Sequence, residues 1–167
     1  EEEGPISGVI HFAAFKSVGE SQQKPLAYYA NNVGSLISIL EVMLEFGVRD
    51  LVFSSSCTVY GQATELPVTE ASPTVAPASV YGATKQICEQ ILRDAVASGV
   101  PLRASRLRYF NPIGAHPSGE IGELPLGEPQ NLVPIILESV AGQRGPVQVF
   151  GGDWSTPDGS CIRGYIH

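Results

Sequence analysis

The chain has 167 residues, with 10 Lys and Arg against 17 Asp and Glu, which leaves a formal charge of -7 at pH 7. So acidic a chain lacks the basic stripe that neutralises phosphates, which excludes nucleic acid and anionic membranes as partners. Gly (18) and Pro (13) are too few for a low-complexity chain, while 43% of residues are hydrophobic and only 16% charged, so the sequence is globular with much apolar surface to bury.

No apolar run approaches the ~18 residues of a membrane span, and no secretory segment is visible. Cys57, Cys88 and Cys161 are odd in number and lie without a CxxC or a His pair, so neither a disulfide framework nor a metal site is expected. Reduced thiols in a cytoplasm fit best. Glu1, Glu2 and Glu3 contain no Met, and the chain reads as an excerpt of a longer one.

Gly8 to Ala14 is a continuous apolar run, as expected of a parallel strand covered on both faces. From Pro25 to Phe46 the residues Tyr29, Val33, Leu36, Ile37, Leu40, Met43 and Leu44 recur at three- and four-residue steps, between Pro25 and Gly47, which predicts a long helix. Asp50 to Ser54 predicts a second strand. A long loop to Ser79 follows, stiffened by Pro67, Pro73 and Pro77, and loops of that length are usually functional or disordered. A helix from near Ser79 to Gly99 carries Ile87, Ile91, Leu92 and Val96, and Leu102 to Tyr109 predicts a third strand. Alternating strands and helices with short turns give an α/β class with a parallel sheet, part of a doubly wound, Rossmann-like arrangement. Beyond Asn111 the chain is punctuated by Pro and Gly, then predicts a helix from about Leu132 to Ala141 and a short strand at Val147 to Phe150. Residues 1–111 thus read as the C-terminal part of a nucleotide-binding domain and 112–167 as the start of a second lobe.

In open α/β sheets ligands lie beyond the carboxyl ends of the strands. Those ends carry Ala13-Ala14-Phe15-Lys16, Ser54-Ser55-Ser56 and Tyr109-Phe110-Asn111. Ala13 and Ala14 would admit a flat cofactor against the backbone, or equally a tightly packed helix. Tyr81 and Lys85, four apart, share one helix face. An ammonium about 4 Å from the phenol, at an effective dielectric near 20, is worth up to ~4 kcal/mol, enough to bring a tyrosine from about 10 toward about 7 and make it a general acid/base. In isolation the same spacing also fits an exposed pair on a solvated helix. Ser56, Lys16 and Asn32 add polar groups near the same crevice, although three serines also serve simply to end a strand.

The segments Phe12-Ala13-Ala14-Phe15-Lys16-Ser17-Val18-Gly19-Glu20-Ser21, Ser54-Ser55-Ser56-Cys57-Thr58-Val59-Tyr60-Gly61, Tyr81-Gly82-Ala83-Thr84-Lys85, Leu107-Arg108-Tyr109-Phe110-Asn111-Pro112 and Gln130-Asn131-Leu132 together resemble the UDP-glucose 4-epimerases, within the extended short-chain dehydrogenase/reductases. The resemblance implies an NAD-dependent enzyme of galactose metabolism that inverts C4 of a UDP-hexose through a 4-keto intermediate. It implies Tyr81, Ser56 and Lys85 as the catalytic group. Phe12, Ala13, Ala14, Lys16, Asn32, Ser54, Tyr81, Lys85 and Tyr109 would lie along NAD, with Lys85 on the nicotinamide ribose. Ser56, Tyr81, Phe110, Asn111, Asn131 and Arg163 would hold the UDP-sugar, Arg163 through its planar fork of donors. A homodimer built on the helix of Tyr81 and the preceding helix is implied as well.

Related dehydratases carry Asp-Glu where this chain has Cys57-Thr58, so the acid and base that elimination requires are missing. UDP-pentose and UDP-N-acetylhexosamine epimerases share nearly all of these motifs. The family has Asp where this chain has Gly164. The glycine-rich phosphate loop that sets a helix N-terminus on the pyrophosphate is not among these residues, nor is the acidic residue that holds the adenosine ribose. The resemblance therefore implies weak NAD binding by these residues alone; the other expectation is a non-catalytic binding or assembly module.

Overall fold

The computed structural model describes residues 4–63, 65–123 and 127–167. It contains two compact units, one running through Tyr109 and one from Phe110 to His167. Asn111 goes with the second because it pairs with Tyr165.

In the first unit, β1 (Gly8–His11), β2 (Asp50–Ser54) and β3 (Arg103–Leu107) form a parallel sheet in the order β1-β2-β3. The register sets Ile10 opposite Val52, and Leu51 opposite both Val9 and Ala104. Between the strands run α1 (Val18–Gln23), α2 (Pro25–Tyr28), α3 (Gly34–Glu45) and α4 (Val80–Ala97). Strand side chains alternate faces. Leu51 and Phe53 point into a core with Leu36, Leu40 and Met43 of α3 and Cys88 and Leu92 of α4. Ile10, on the opposite face, is 66% exposed. Helices thus cover one face of the sheet within this chain, where the apolar run of β1 predicts cover on both. The strand also ends at His11 rather than at Ala14, where the pairing with Phe53 ends.

The long helix predicted from Pro25 to Phe46 is a continuous helical run that widens into a π-helical turn at Tyr29–Val33. Such turns leave backbone groups outside the regular ladder and gather at functional sites. Here the carbonyl of Asn32 accepts the Cys88 thiol at 3.5 Å and the Ser35 hydroxyl at 3.4 Å. Burial raises that thiol's pKa to about 11, so Cys88 acts as a small core hydrophobe. Leu36, fully buried at the centre of this packing, sets the scale: Leu36→Ala is expected to cost about 2–5 kcal/mol, read as a lowered midpoint in urea unfolding of the full-length protein.

Helix α1 has no counterpart in the predicted elements. Its start was written in Ser17-Val18-Gly19-Glu20, a capping-box pattern, and Ser17 Oγ accepts from Glu20 N–H at 3.3 Å. The loop after β2 contains a 3-10 turn, Cys57–Tyr60, capped by Ser56 Oγ, which accepts from Thr58 N–H at 3.2 Å.

The second unit contains α5 (Leu132–Val140) and a two-stranded parallel pair, β4 (Asn111–Pro112) with β5 (Tyr165–Ile166). The strand predicted at Val147 to Phe150 does not form. Val149 and Phe150 are more than 80% exposed and no strand pairs with them among the described residues, so the apolar run finds neither a ladder nor a core.

Candidate active site

Helix α4 sets the site. Its first turn is capped by Ser79 Oγ, which accepts from Gly82 N–H at 3.0 Å. Ser21 Oγ accepts from Tyr81 N–H at 3.1 Å, tying α1 to the same turn. Thr84 Oγ donates to the Tyr81 carbonyl at 2.7 Å and accepts from the Asn32 amide at 3.2 Å. Tyr81 therefore stands on a turn fixed from three sides.

Lys85 is buried, at 3% exposure, and its Nζ donates to the Ser54 carbonyl at 2.8 Å. It lies 5.0 Å from the centre of the Phe53 ring and 5.7 Å from that of Tyr81. No carboxylate pairs with it among the described residues. Burial therefore pushes its pKa below the usual lysine range. The neighbouring His11 ring, stacked obliquely on Phe53, is also held low, by burial first and the Lys85 charge second.

The sequence predicts that Lys85 makes Tyr81 more acidic; the structure reverses the sign. Burial raises the phenol's pKa, the hydrogen-bonding Ser56 side chain pulls it back down, and Cys57 raises it further. The ammonium sits above rings rather than beside the phenolic oxygen, and Lys85 is not among the groups that shift the phenol. The chain's own groups hold Tyr81 protonated at neutral pH.

The strand ends also contact one another and the loops beside them. Phe12 and Tyr109 stack with centroids 6.2 Å apart, and the Tyr109 carbonyl accepts from Cys57 N–H at 2.8 Å. Asn32 is buried and fully engaged: its Oδ1 accepts from Phe15 N–H at 2.8 Å and its Nδ2 donates to the Phe15 carbonyl at 3.0 Å. Its side chain thus holds the Phe12–Lys16 loop instead of presenting free donors. Ala13 and Lys16 are exposed and Ala14 is half-buried.

In the second unit, Arg163 Nη2 donates to Asn111 Oδ1 at 2.9 Å. Asn111 Nδ2 and N–H both donate to the Gly164 carbonyl, at 2.7 and 3.3 Å. A Cβ at Gly164 would meet the Phe110 ring at 3.3 Å, so glycine lets that ring lie against the backbone. Asn131 precedes α5 without a side-chain cap and donates to Glu123 at 3.3 Å.

Ser21 and Thr84 were not among the candidate site residues, and Thr58 was noted only as standing where related dehydratases carry an acidic residue. The Thr58 hydroxyl is buried with no hydrogen-bond partner, which makes it a spare donor beside Gly82. Among the described residues no cluster of His, Cys, Asp or Glu could hold a metal.

A profile of proteins described as the NAD dependent epimerase/dehydratase family matches residues 1–167. The chain belongs to that family. This family member is 50% identical to UDP-glucose 4-epimerase 2 of Arabidopsis thaliana, over 99% of the chain and 47% of that protein. The crystal structure of a UDP-glucose-4-epimerase from Stenotrophomonas maltophila, with bound NAD and formylated UDP-arabinopyranose, is 52% identical with a TM-score of 0.91, covering 97% of this chain and 48% of that one. The UDP-glucose 4-epimerase of Bifidobacterium longum, in complex with NAD+ and UDP, is 48% identical with a TM-score of 0.93, over 98% and 49% of the two chains. The chain thus spans about half the length of these relatives.

Proposed function

We propose that the full-length protein inverts C4 of a UDP-hexose, interconverting UDP-galactose and UDP-glucose with bound NAD. The observation that carries this is the buried Lys85 ammonium, unpaired with any carboxylate among the described residues, on one helix face with a phenol that a strand-end serine hydroxyl reaches.

An ammonium has three donors, and Ser54 takes one. The remaining two suit the vicinal hydroxyls of a ribose, so the residues fit the cofactor. Phe12 and Tyr109 offer ring faces, Lys16 a cation, and Asn32 supports their loop. When bound, NAD supplies a hydride acceptor for C4 and a positive ring charge, which the chain's own residues do not provide to Tyr81.

Tyr81 would exchange a proton with the oxygen on C4, with Ser56 bridging phenol and sugar; a positioned acid/base of this kind gives about 10²–10⁴-fold in rate. Asn111, Asn131, Phe110 and Arg163 would hold the UDP portion, Arg163 as a bidentate donor to phosphate. Cys57 and Thr58 supply no carboxylate, which disfavours elimination of water. We infer a cytoplasmic protein, in line with an odd number of widely spaced cysteines, and a homodimer through α3 and α4, supported by Ile37, Val42, Leu44 and Ile87, which stand exposed there.

The full-length protein is expected to bring either UDP-galactose or UDP-glucose to the same mixture, with no net consumption of NAD. NMR of the sugar anomeric signals follows this, and absence of conversion from both sides overturns the proposal.

A further inference from the structure

Helix α4 carries a second ionisable residue on the stripe of Tyr81 and Lys85. Glu89 is one turn beyond Lys85, so all three share a face. Its side chain is 1% exposed, and a carboxylate so buried persists as an anion only when paired and hydrogen-bonded. Ser55 Oγ donates to its Oε1 at 2.6 Å. Arg108 closes a fork on it, Nε to Oε1 at 2.9 Å and Nη2 to Oε2 at 2.7 Å. Arg93 of α4 and Arg106 of β3 stand 3.5 and 3.7 Å from Oε2. Burial opposes ionisation, but hydrogen bonds from Arg108 and Ser55 and the charges of Arg108 and Arg106 prevail and hold its pKa below the usual carboxylate range.

Where these contacts fall matters more than their strength. Ser55 precedes Ser56, and Arg108 precedes Tyr109, whose carbonyl holds Cys57. The Arg108 guanidinium also lies 4.8 Å over the ring of Tyr60, at the far end of the turn that Ser56 caps. One helix stripe thus holds two consecutive strand-end residues, Lys85 on Ser54 and Glu89 on Ser55, and Ser56, next along the chain, is the side chain that lowers the Tyr81 phenol's pKa. For stability alone, an apolar cluster of the same volume does as well as a buried ion pair.

We propose that Glu89 is a positioning residue for the acid–base pair: by gripping Ser55 and Arg108 it sets where the Ser56 hydroxyl stands relative to the Tyr81 phenol. This rests on the epimerase function proposed above, and it predicts a defect in proton transfer without a defect in sugar binding.

The test uses the full-length protein with NAD bound. Ser55→Ala removes one grip and leaves the Glu89–Arg108 fork intact; its kcat is expected to fall about 10-fold with KM for the UDP-sugar within about 2-fold. Glu89→Gln, which keeps the shape and loses the charge, is expected to lose about 10²-fold in the same parameter. Arg108→Lys, keeping charge without the fork, falls between wild type and Glu89→Gln. The second readout needs no turnover: the Tyr81 phenol, followed by NMR of isotope-labelled tyrosine and assigned through Tyr81→Phe, titrates higher in Ser55→Ala than in wild type, because the Ser56 contact that lowers it is loosened. Wild-type kcat and an unmoved titration in Ser55→Ala overturn the proposal, even where Glu89→Gln fails to fold. An inactive wild type removes the epimerase function alone, and the titration then decides for or against the role of Glu89.

Discussion

Tyr81→Phe in the full-length protein is expected to lower kcat by about 10²–10⁴-fold, or about 3–5 kcal/mol of transition-state stabilisation, while KM for the UDP-sugar changes little. The phenol oxygen is the group proposed to exchange a proton with the substrate oxygen, and phenylalanine keeps the ring on a turn held by Ser79, Ser21 and Thr84. Fold and sugar affinity therefore survive. The pH dependence should be one-sided: epimerisation in either direction begins from the phenolate, and burial in the chain's own surroundings holds the phenol's pKa above its ordinary value, so kcat rises with pH across neutrality. Steady-state kinetics of wild type and variant across pH checks both statements, and an unchanged kcat removes Tyr81 from the mechanism.

The second large effect separates activity from stability. Lys85→Met preserves length and packing but removes the ammonium, and kcat is expected to fall about 10²–10³-fold, as when a preorganised donor is removed from an active site. Stability should behave differently. Burying an ammonium costs several kcal/mol even after relaxation; losing its hydrogen bond leaves the Ser54 carbonyl unpaired at about 1–3 kcal/mol. The first is at least as large, so the variant should match wild type or exceed it at neutral pH. The sign of the pH dependence follows from linkage. Lys85 titrates lower folded than unfolded, so between those two values the unfolded chain binds more protons and wild-type stability climbs with pH. The variant's advantage is largest below the folded value and disappears above the ordinary lysine range. Thermal melts at neutral and alkaline pH, beside kcat, test this; a large destabilisation at neutral pH together with retained turnover contradicts it.

Much of this was legible in the sequence wherever a signal was local. The apolar spacing from Tyr29 to Leu44 placed the helical run that begins at Pro25 and ends with α3, and the signals near Ser79 and at Gly99 placed α4, each to within a few residues. The strand ends that carry Phe12, Ser56 and Tyr109 lie where parallel-sheet logic puts them. Long-range contacts were not legible. Nothing near Asn32 announces that its amide clamps Phe15, seventeen residues earlier. Nothing near Glu89 foretells a fork from Arg108, just past the end of β3. The inverted effect on Tyr81 has the same origin: spacing along a helix brings Lys85 to the right face, but the Ser54 carbonyl and the Phe53 ring decide where its ammonium stops. The absent strand at Val147 to Phe150 shows the limit for apolar runs, which become strands only where a partner exists.

The central claim is that the chain moves protons only at oxygen while C4 is inverted, so the hydrogen on C4 never mixes with water. UDP-galactose carrying deuterium at C4, incubated with the full-length protein and NAD, is expected to yield UDP-glucose that keeps the deuterium at C4, as read by mass spectrometry and NMR. Deuterium released to solvent in proportion to turnover would contradict the account.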